Sequence, residues 1–268
     1  MDCVPHDKRA KKLHALSRAF AANLWKASAR MSMRVLWVKS RGCCTLAELA
    51  SFSYNCGMNI ELRLEEEADW DIVENLTREA FWNLHVPGCD EHLLVRNLRK
   101  AKEFVKGLSF VAAIDGKIVG NIVYAETKIA DGEREHAVLT FGPLSVLPEY
   151  QNMGIGTKLI EHTKRLAKEM GYRAILIYGY PEYYVRFGFR PSRDFGITDG
   201  EDRYLVALQV LELYSSALSG IAGRFDQGEL YSVDAQKLAE FEKGFAPKEK
   251  GWAKTQERFR ETSAQYLQ

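Results

Sequence analysis

The sequence predicts an α+β fold in which a mixed, mostly antiparallel central sheet is flanked by helices. Asp115–Gly116 joins two apolar segments and is a strong signal for an antiparallel hairpin. Residues 138–170 have the pattern of a buried strand, a glycine-containing loop and an amphipathic helix. The 268-residue chain is 46% hydrophobic and 27% charged, so it can bury one good core and a small appendage.

The elements predicted after residue 57 follow one another in a regular order. Asp69 is positioned to cap the first helix, which carries Ile72 to Phe81, and Pro87–Gly88 ends that helix. The other predicted elements are a strand over 59–64, a helix over 91–106, strands over 109–114 and 117–124, a polar excursion over 131–135, a central strand over 138–147, a strand over 173–178, a helix over 182–187 and a long strand over 204–213.

The segment 215–268 is predicted to be an appendage packed on or near the main domain, which spans 58–214. It carries a candidate hairpin over 223–233 and a short helix over 234–243, and Pro247 interrupts it. Because about fifty residues hardly bury a core alone, we interpret this segment as a lid or docking element rather than an independent domain.

The first 57 residues differ from the rest in charge. They hold ten Lys or Arg against three Asp or Glu, a net charge of +7, whereas the remainder carries −6. Met58 directly precedes the first strand, as a start codon would, so we interpret residues 1–57 as a poorly ordered, dispensable extension. A targeting signal or a nucleic-acid-binding arm is the alternative. The acidic balance of the remainder argues against nucleic acid as a partner.

The number and spacing of the cysteines indicate the redox state of the compartment. Five cysteines without a Cys-x-x-Cys spacing favour a reducing environment, and we expect a cytoplasmic protein. The adjacent Cys43–Cys44 pair is a poor chelator, so no metal is expected. The sequence has no run of eighteen apolar residues, the length that a membrane-spanning helix requires.

The stretch from Val138 to Met170 carries the predicted chemistry. Gly142–Pro143 interrupts its apolar strand, and because proline cannot donate to a sheet, we expect a bulge that separates this strand from the strand over 173–178. Gly154 and Gly156 then permit close backbone approach at a helix start, where unpaired N–H groups and the helix dipole favour an anion. The loop is therefore a candidate phosphate-binding site.

Three phosphate-binding motifs compete for this loop. A P-loop requires Gly-Lys-Ser/Thr, but the order here is Gly156-Thr157-Lys158. A dinucleotide fingerprint requires a third glycine, where this chain has Leu159. The pattern Gln/Arg-x-x-Gly-x-Gly/Ala fits the loop from Gln151 onward. A glycine-rich turn that binds no ligand is the alternative.

The loop and its strand resemble the GNAT (N-acetyltransferase) superfamily. The family's strand pattern, Leu-x-Val-x-Pro-x-x-Gln/Arg, matches Leu144, Val146, Pro148 and Gln151. Asn152 stands where the family frequently has glycine, and asparagine tolerates left-handed conformations better than most residues. The resemblance implies a three-layer acyl-CoA N-acyltransferase fold and an N-acetyltransferase with acetyl-CoA as its cosubstrate.

The resemblance also implies where acetyl-CoA binds. The pyrophosphate would meet the backbone of the glycine loop, and the pantetheine arm would pair with the central strand where it separates from its neighbour. A backbone N–H there is also a candidate donor to the developing oxyanion. The residues implied to bind the cofactor are Leu144, Ser145, Val146, Gln151, Asn152, Met153, Gly154, Ile155, Gly156 and Thr157.

Tyr184 is the catalytic candidate. The segment Tyr183–Phe189 resembles the Tyr-Tyr-x-Arg-Phe-Gly-Phe element of a bacterial branch of predicted acetyltransferases, which implies that Tyr184 is the acid for the departing thiolate. A phenol is a weaker acid than a thiol, so full proton transfer would be slightly uphill and we expect a hydrogen bond to the thiolate instead. Packing against Phe187 is the alternative role. Tyr180 stands where the branch usually has Asp, which leaves the substrate contacts near this turn open.

The sequence leaves the acceptor chemistry open. Glu126, Glu135 and His136 are candidates for the general base, and none is favoured over the others. We expect direct attack by a primary amine of a small molecule or peptide, and a homodimer stays open. The alternative function is a non-catalytic acyl-CoA-binding or sensor module.

Overall fold

The computed structural model describes residues 59–267. The basic extension over 1–57, its cysteines and the predicted start at Met58 lie outside these residues, so the interpretations placed on them stay predictions. None of the helices between residues 59 and 267 combines the length and the apolar character that crossing a bilayer requires.

The described chain alternates strands and helices in the order that the sequence predicts up to residue 184. The strands are β1 Ile60–Leu64, β2 Phe110–Ile114, β3 Lys117–Asp131, β4 Arg134–Val146, β5 Ala174–Tyr178, β6 Arg190–Pro191, β7 Ile197–Thr198, β8 Tyr204–Leu205, β9 Leu208–Glu212, β10 Gly223–Asp226 and β11 Tyr266–Leu267. The helices are α1 Trp70–Phe81, α2 Glu91–Leu98, α3 Ile155–Glu169, α4 Pro181–Tyr184, α5 Ala235–Glu242 and α6 Lys254–Ala264.

The main sheet is mixed and mostly antiparallel, as predicted. Its strands follow the order β1-β2-β3-β4-β5-β9-β6, and within this order β4 and β5 form the parallel pair. Helix α3 covers one face, where Leu159 and Ile160 are fully buried against the sheet. Helices α1 and α2 cover the other face through Val73, Leu94 and Leu98. Apolar burial on both faces of β3 and β4 holds the three layers together.

Strands β3 and β4 are longer than predicted. The polar excursion expected over 131–135 is a tight turn, because Asp131 and Arg134 already face each other in the β3–β4 register. Ile129 and Val138 are fully buried on either side of this turn and extend the apolar pattern of the two strands. The loop prediction was therefore wrong. It gave too much weight to the charged residues of the turn and too little to the apolar positions on either side, which continue the two strands.

Two chain segments cover the free edge of β3 beyond the end of β2. Val105 N donates to Tyr124 O at 3.0 Å, and Glu126 N donates to Glu103 O at 2.8 Å. The helix predicted over 91–106 therefore ends at Leu98, because these backbone groups pair with β3 instead.

Strand β10 covers the next part of the same edge. It pairs antiparallel with β3, with Arg224 opposite Ala130, and parallel with β7. The hairpin predicted over 223–233 is therefore wrong. The long strand predicted over 204–213 is also divided in two, because Val206 N donates to Gln265 O at 2.9 Å and the chain bends there.

Asp69 precedes α1 but does not cap it with its side chain. Its carboxylate instead receives a bidentate bond from the guanidinium of Arg63, with N–O distances of 2.5 and 2.8 Å. Glu66 N also donates to this carboxylate at 2.9 Å. The predicted cap was wrong because a charged partner outcompetes the helix N–H groups for the same oxygens.

The segment after β10 packs against α1 and α2. Buried Arg78 donates to both carboxylate oxygens of Glu242, at 3.1 and 2.9 Å. His92, fully buried, places Nε2 2.7 Å from Oε1 of the same Glu242. Trp82 Nε1 donates to Glu249 O at 2.8 Å, and Gln256 donates to Asn83 O at 3.1 Å. One carboxylate on α5 therefore connects both helices to this segment.

We expect Glu242→Ala to destabilise the protein by about 3 kcal/mol, because it leaves the buried guanidinium of Arg78 without its counter-charge. Glu240→Ala is the matched control on the same helix, since its pair with Lys243 is exposed and the expected loss is about 0.5 kcal/mol or less. Urea unfolding of both variants gives the two free energies. Equal losses would contradict a central role for the Glu242 cluster.

Candidate functional site

Strands β4 and β5 separate soon after they meet. Among the described residues their pairing consists of one register pair, Leu139 opposite Ile175. Gly142–Pro143 follows on β4, and the β3–β4 register shifts opposite it, between Ile122 and Tyr124. The expected separation of the two strands is confirmed. It leaves a gap that starts beyond Leu139, where β4 runs on to the glycine loop without pairing to β5.

The backbone of β4 beyond the bulge has one edge turned into this gap. Leu147 N donates to Val119 O at 2.9 Å, so alternate residues of β4 bond to β3. By that alternation, Ser145 directs its N–H and C=O to β3, whereas Leu144 and Val146 direct theirs to the gap. Of the three predicted pantetheine contacts, this alternation leaves both backbone groups of Leu144 and the N–H of Val146 facing the gap, since the carbonyl of Val146 accepts a bond from Gln151 Nε2.

Ser145 and Gln151 support the walls of the gap with their side chains. Ser145 Oγ donates to Thr77 Oγ1 on α1 at 3.1 Å, and both residues are buried. Gln151 Nε2 donates to Val146 O at 3.1 Å, which ties the glycine loop to the end of β4. Neither contact could be predicted from the motif, which indicates residue types but not side-chain directions.

The glycine loop has the predicted conformation. Asn152 and Gly154 have φ values of 62° and 81°, so both occupy the left-handed region. The predicted tolerance of Asn152 for this conformation is confirmed. Helix α3 begins at Ile155, whose side chain is buried, and Lys158 N donates to Gly154 O at 3.0 Å. The N–H groups of residues 155–157 precede that first helical bond and face outward from the helix start.

Thr157 and Met153 have different surroundings at this loop. Thr157 is exposed on the first turn of α3. Met153 packs its side chain against the apolar core under α3. Its predicted contribution to an anion site is therefore made by the backbone.

Tyr183 lies beside Gly156, a contact that the sequence did not predict. A Cβ on Gly156 would lie 3.2 Å from the Tyr183 hydroxyl, so this glycine makes room for the phenol. The guanidinium of Arg186 stacks on the Tyr183 ring at 3.9 Å from its centroid. A phenol and a cation thus stand next to the start of α3. The Tyr-Tyr dipeptide could have indicated both residues, but the motif assigned a role to Tyr184 alone.

Tyr184 packs in an aromatic cluster at the bulge. Its ring centroid lies 6.0 Å from that of Phe141, 5.5 Å from Phe189 and 6.3 Å from Phe187. Its ring also lies directly on Gly179, where no Cβ could fit. Burial raises the pKa of Tyr184, the neighbouring phenol of Tyr183 adds to the rise, and Arg186 opposes it. The hydroxyl therefore stays protonated over the physiological pH range.

The three candidate bases do not converge on the gap. Glu126 lies opposite Leu139 at its closed end and accepts a bond from the Tyr172 hydroxyl at 3.2 Å. Glu135 and His136 pair with the far end of β3, and Glu135 bonds to Lys128 at 2.6 Å. Position 135 lies seven residues before Gly142 along the strand, which is roughly 24 Å of extended chain.

A groove of about 1090 Å³ opens elsewhere on the molecule, and its lining includes Glu126, Met170 and Tyr172. Met170 and Tyr172 follow the C-terminal end of α3, whereas the glycine loop precedes its N-terminal end. The 15 residues of that helix place the two ends roughly 22 Å apart. Between residues 59 and 267, no group of three or more His, Cys, Asp or Glu side chains is arranged to hold a metal ion.

Comparison with known proteins gives a consistent result. Residues 106–191, which include the glycine loop and Tyr184, match the family described as the acetyltransferase (GNAT) domain. The chain is 34% identical over 99 residues to the uncharacterized N-acetyltransferase YjhQ of Escherichia coli K12, and this alignment covers 37% of the chain and 54% of YjhQ. It is 26% identical over 172 residues to the uncharacterized N-acetyltransferase YhbS of the same strain, covering 64% and 98%.

Solved structures share the fold. The crystal structure of the E. coli GNAT family N-acetyltransferase YhbS in complex with CoA gives a TM-score of 0.58 at 23% identity, covering 66% of this chain and 94% of that one. A GNAT family acetyltransferase from Brucella melitensis in complex with acetyl-CoA gives 0.53 at 27% identity, covering 65% and 99%. The predicted acyl-CoA N-acyltransferase fold is therefore confirmed.

We expect Gly154→Ala to weaken CoA binding, because φ at this position is +81° and an alanine there costs roughly 1–2 kcal/mol or shifts the loop. Gly116→Ala is the matched control: Gly116 has a φ of +80°, lies in the β2–β3 turn, and likewise has open space around an added methyl group. Calorimetric titration with CoA and urea unfolding separate the two effects. Both variants should lose similar stability, and equal CoA affinity in both would contradict a role for the loop.

Proposed function

We propose that this chain is an acyltransferase that transfers an acetyl group from acetyl-CoA to a primary amine by direct attack, since residues 106–191 match the acetyltransferase (GNAT) domain and its relatives are named N-acetyltransferases. The observation that carries the proposal is the gap between β4 and β5, which starts beyond Leu139 and leads to the glycine loop. A slot lined by free backbone groups and ending at a helix start suits a molecule with an extended amide arm and a pyrophosphate.

The proposed cofactor contacts follow from this shape. The pyrophosphate binds the N–H groups at the start of α3, with the left-handed Gly154 turning the loop around it. Arg186, stacked beside Gly156 through Tyr183, adds a positive charge near the phosphates. The pantetheine amides pair with the open edge at Leu144 and Val146. The solved relatives in complex with CoA and acetyl-CoA support this assignment by fold.

The proposed chemistry moves one proton and one acyl group. The neutral amine attacks the thioester carbonyl, a C–N bond forms, and the carbonyl oxygen becomes an oxyanion. The intermediate then collapses, the C–S bond breaks and the thiolate leaves, while the amine proton passes to solvent. Tyr184, which burial keeps protonated, donates a hydrogen bond to the departing sulfur. Its raised pKa favours hydrogen bonding over full proton transfer.

A non-catalytic acyl-CoA-binding or sensor module is the second candidate. Its support is the packing of Tyr184 against Phe141, Phe189 and Gly179, which a purely structural tyrosine would also make. The acceptor class, a small-molecule or peptide amine, belongs to the proposal. The homodimer, the cytoplasmic location and the domain limits at 58–214 and 215–268 stay predictions from the sequence.

We expect CoA and acetyl-CoA to stabilise the protein, since a ligand at one hundred times its dissociation constant adds about 2.7 kcal/mol. Thermal melting with each ligand checks the cofactor, and thiol release from acetyl-CoA with a panel of amines checks the reaction. The absence of any melting shift would contradict the cofactor. If the protein shows a melting shift but acetyl-CoA releases no thiol with any amine or with water alone, the binding module would be favoured.

We expect Tyr184→Phe to lower kcat by roughly tenfold to a thousandfold with little change in KM for acetyl-CoA, as loss of one positioned donor usually does. The change removes one hydroxyl and keeps the ring that packs on Phe141 and Phe189. Tyr214→Phe is the control, because Tyr214 is an exposed tyrosine just after β9. Steady-state thiol release is the measurement, and an unchanged kcat would remove Tyr184 from the mechanism.

A further inference from the structure

A second tyrosine reaches the bulge of β4 from the segment after β10. Tyr231 places its ring carbon Cε1 3.8 Å from the position that a Cβ on Gly142 would occupy. The pairing of β10 with β3, which sets Asp226 opposite Lys128, holds this segment against the sheet. Leu230 and Tyr231 then pack into the apolar cluster between the sheet and helices α1 and α2.

Tyr231 and Tyr184 stand on opposite faces of β4. Phe141 points into the α3 side, where it meets Tyr184. Thr140 and Gly142 are its neighbours in the strand, so their side-chain directions face α1 and α2. Tyr231 approaches these two positions from that face. The two phenols therefore flank the point where β4 leaves β5.

The Tyr231 hydroxyl is buried and completes no hydrogen bond with the residues between 59 and 267. Its polar neighbour is the Thr140 hydroxyl: burial raises the pKa of Tyr231, and the interaction with Thr140 opposes that rise without satisfying the donor. Gln227 Nε2 donates to Thr140 Oγ1 at 3.5 Å and takes one of the two lone pairs of that oxygen. A buried donor without a partner costs roughly 1–3 kcal/mol, a cost that a ligand acceptor at this place would remove.

We propose that Tyr231 is a further catalytic residue, which donates a hydrogen bond to the carbonyl oxygen of the acetyl thioester as that oxygen becomes an oxyanion. The assignment rests on the proposed function, because pantetheine paired at Leu144 and Val146 brings its acetyl end toward Gly142. An unused O–H requires an acceptor, and the carbonyl oxygen is the acceptor of the reacting group. An attacking amine offers N–H donors and directs its lone pair to carbon.

Tyr231 keeps its proton throughout the proposed step. The amine nitrogen bonds to the carbonyl carbon, the π electrons move to oxygen, and the phenol holds that oxygen while keeping its own proton. Collapse restores the C=O bond and releases the thiolate, which Tyr184 receives on the other face. The oxyanion forms whether the nucleophile is an amine or water, so Tyr231 serves both reactions alike.

The test uses the full chain with Tyr231→Phe, and Tyr266→Phe as the control from the same part of the chain, where Tyr266 is exposed. Acetyl-CoA is the probe, with thiol release measured in water alone and with the amine panel, beside thermal melting with CoA. We expect Tyr231→Phe to lower kcat about 100-fold in both reactions, with KM for acetyl-CoA and the CoA melting shift unchanged. Tyr266→Phe should match the parent throughout.

The stability of Tyr231→Phe separates a catalytic role from a structural one, because a structural hydroxyl would lower the stability when it is removed. Because the hydroxyl has no described partner, Tyr231→Phe should be at least as stable as the parent in urea unfolding. A variant that is less stable yet turns over normally would overturn the proposal, and so would a loss confined to the amine reactions. A parent that shows no CoA melting shift would overturn the proposed function as well, whereas a normal shift with normal Tyr231→Phe turnover would overturn this assignment alone.

Discussion

The separation of β4 from β5 beyond Leu139 is the constraint on which the rest of the site depends. It leaves backbone N–H and C=O groups unpaired in the middle of a sheet, where such groups are ordinarily paired. Water or a bound molecule must then supply the missing partners. In the function that we propose, acetyl-CoA supplies them, with the glycine loop at one end of the slot and the two phenols at the other.

The β4 side of the slot is held in place by its own bulge and by contacts from both faces of the sheet. Pro143 has no N–H to offer β5, and Gly142 has a φ of 149° that turns the chain away. On one face the Tyr124 hydroxyl and Thr163 Oγ1 lie 2.9 Å apart and connect β3 to α3. On the other face the bond from Ser145 to Thr77 connects β4 to α1. Walls held by buried polar contacts present their groups without reorganising when a ligand arrives.

The sequence predicted the parts that local chemistry determines. The left-handed loop around Gly154, the amphipathic α3 and the Asp115–Gly116 hairpin each depend on residues within a few positions of one another. The early end of α2 and the pairing of β10 were not predictable in this way. They depend on contacts between Glu103 and Glu126 and between Arg224 and Ala130, the second about ninety residues apart in the chain.

The residues of the proposed site can likewise be divided into those predicted from local sequence and those placed by long-range contacts. Tyr184 was predicted because it lies in a contiguous motif, and the backbone contacts at Leu144, Ser145 and Val146 because the strand resembles the family's pattern. Tyr231 carries no motif, and its place at Gly142 becomes visible only once β10 is seen to join β3. Residues of this kind are found by following which segments a long strand recruits to its edges.

The late recruitment of β10 has a consequence for synthesis of the chain on the ribosome. The edge of β3 around Lys128 stays uncovered until Arg224 has emerged, a delay of about 5–20 s for some ninety residues at ordinary elongation rates. An open edge next to a buried apolar residue such as Ile129 is a template for pairing with other nascent chains. Lys128 lies on this edge, and a lysine at an open edge disfavours pairing with another chain. Its charge therefore suits the assembly of the sheet rather than the chemistry of the finished protein.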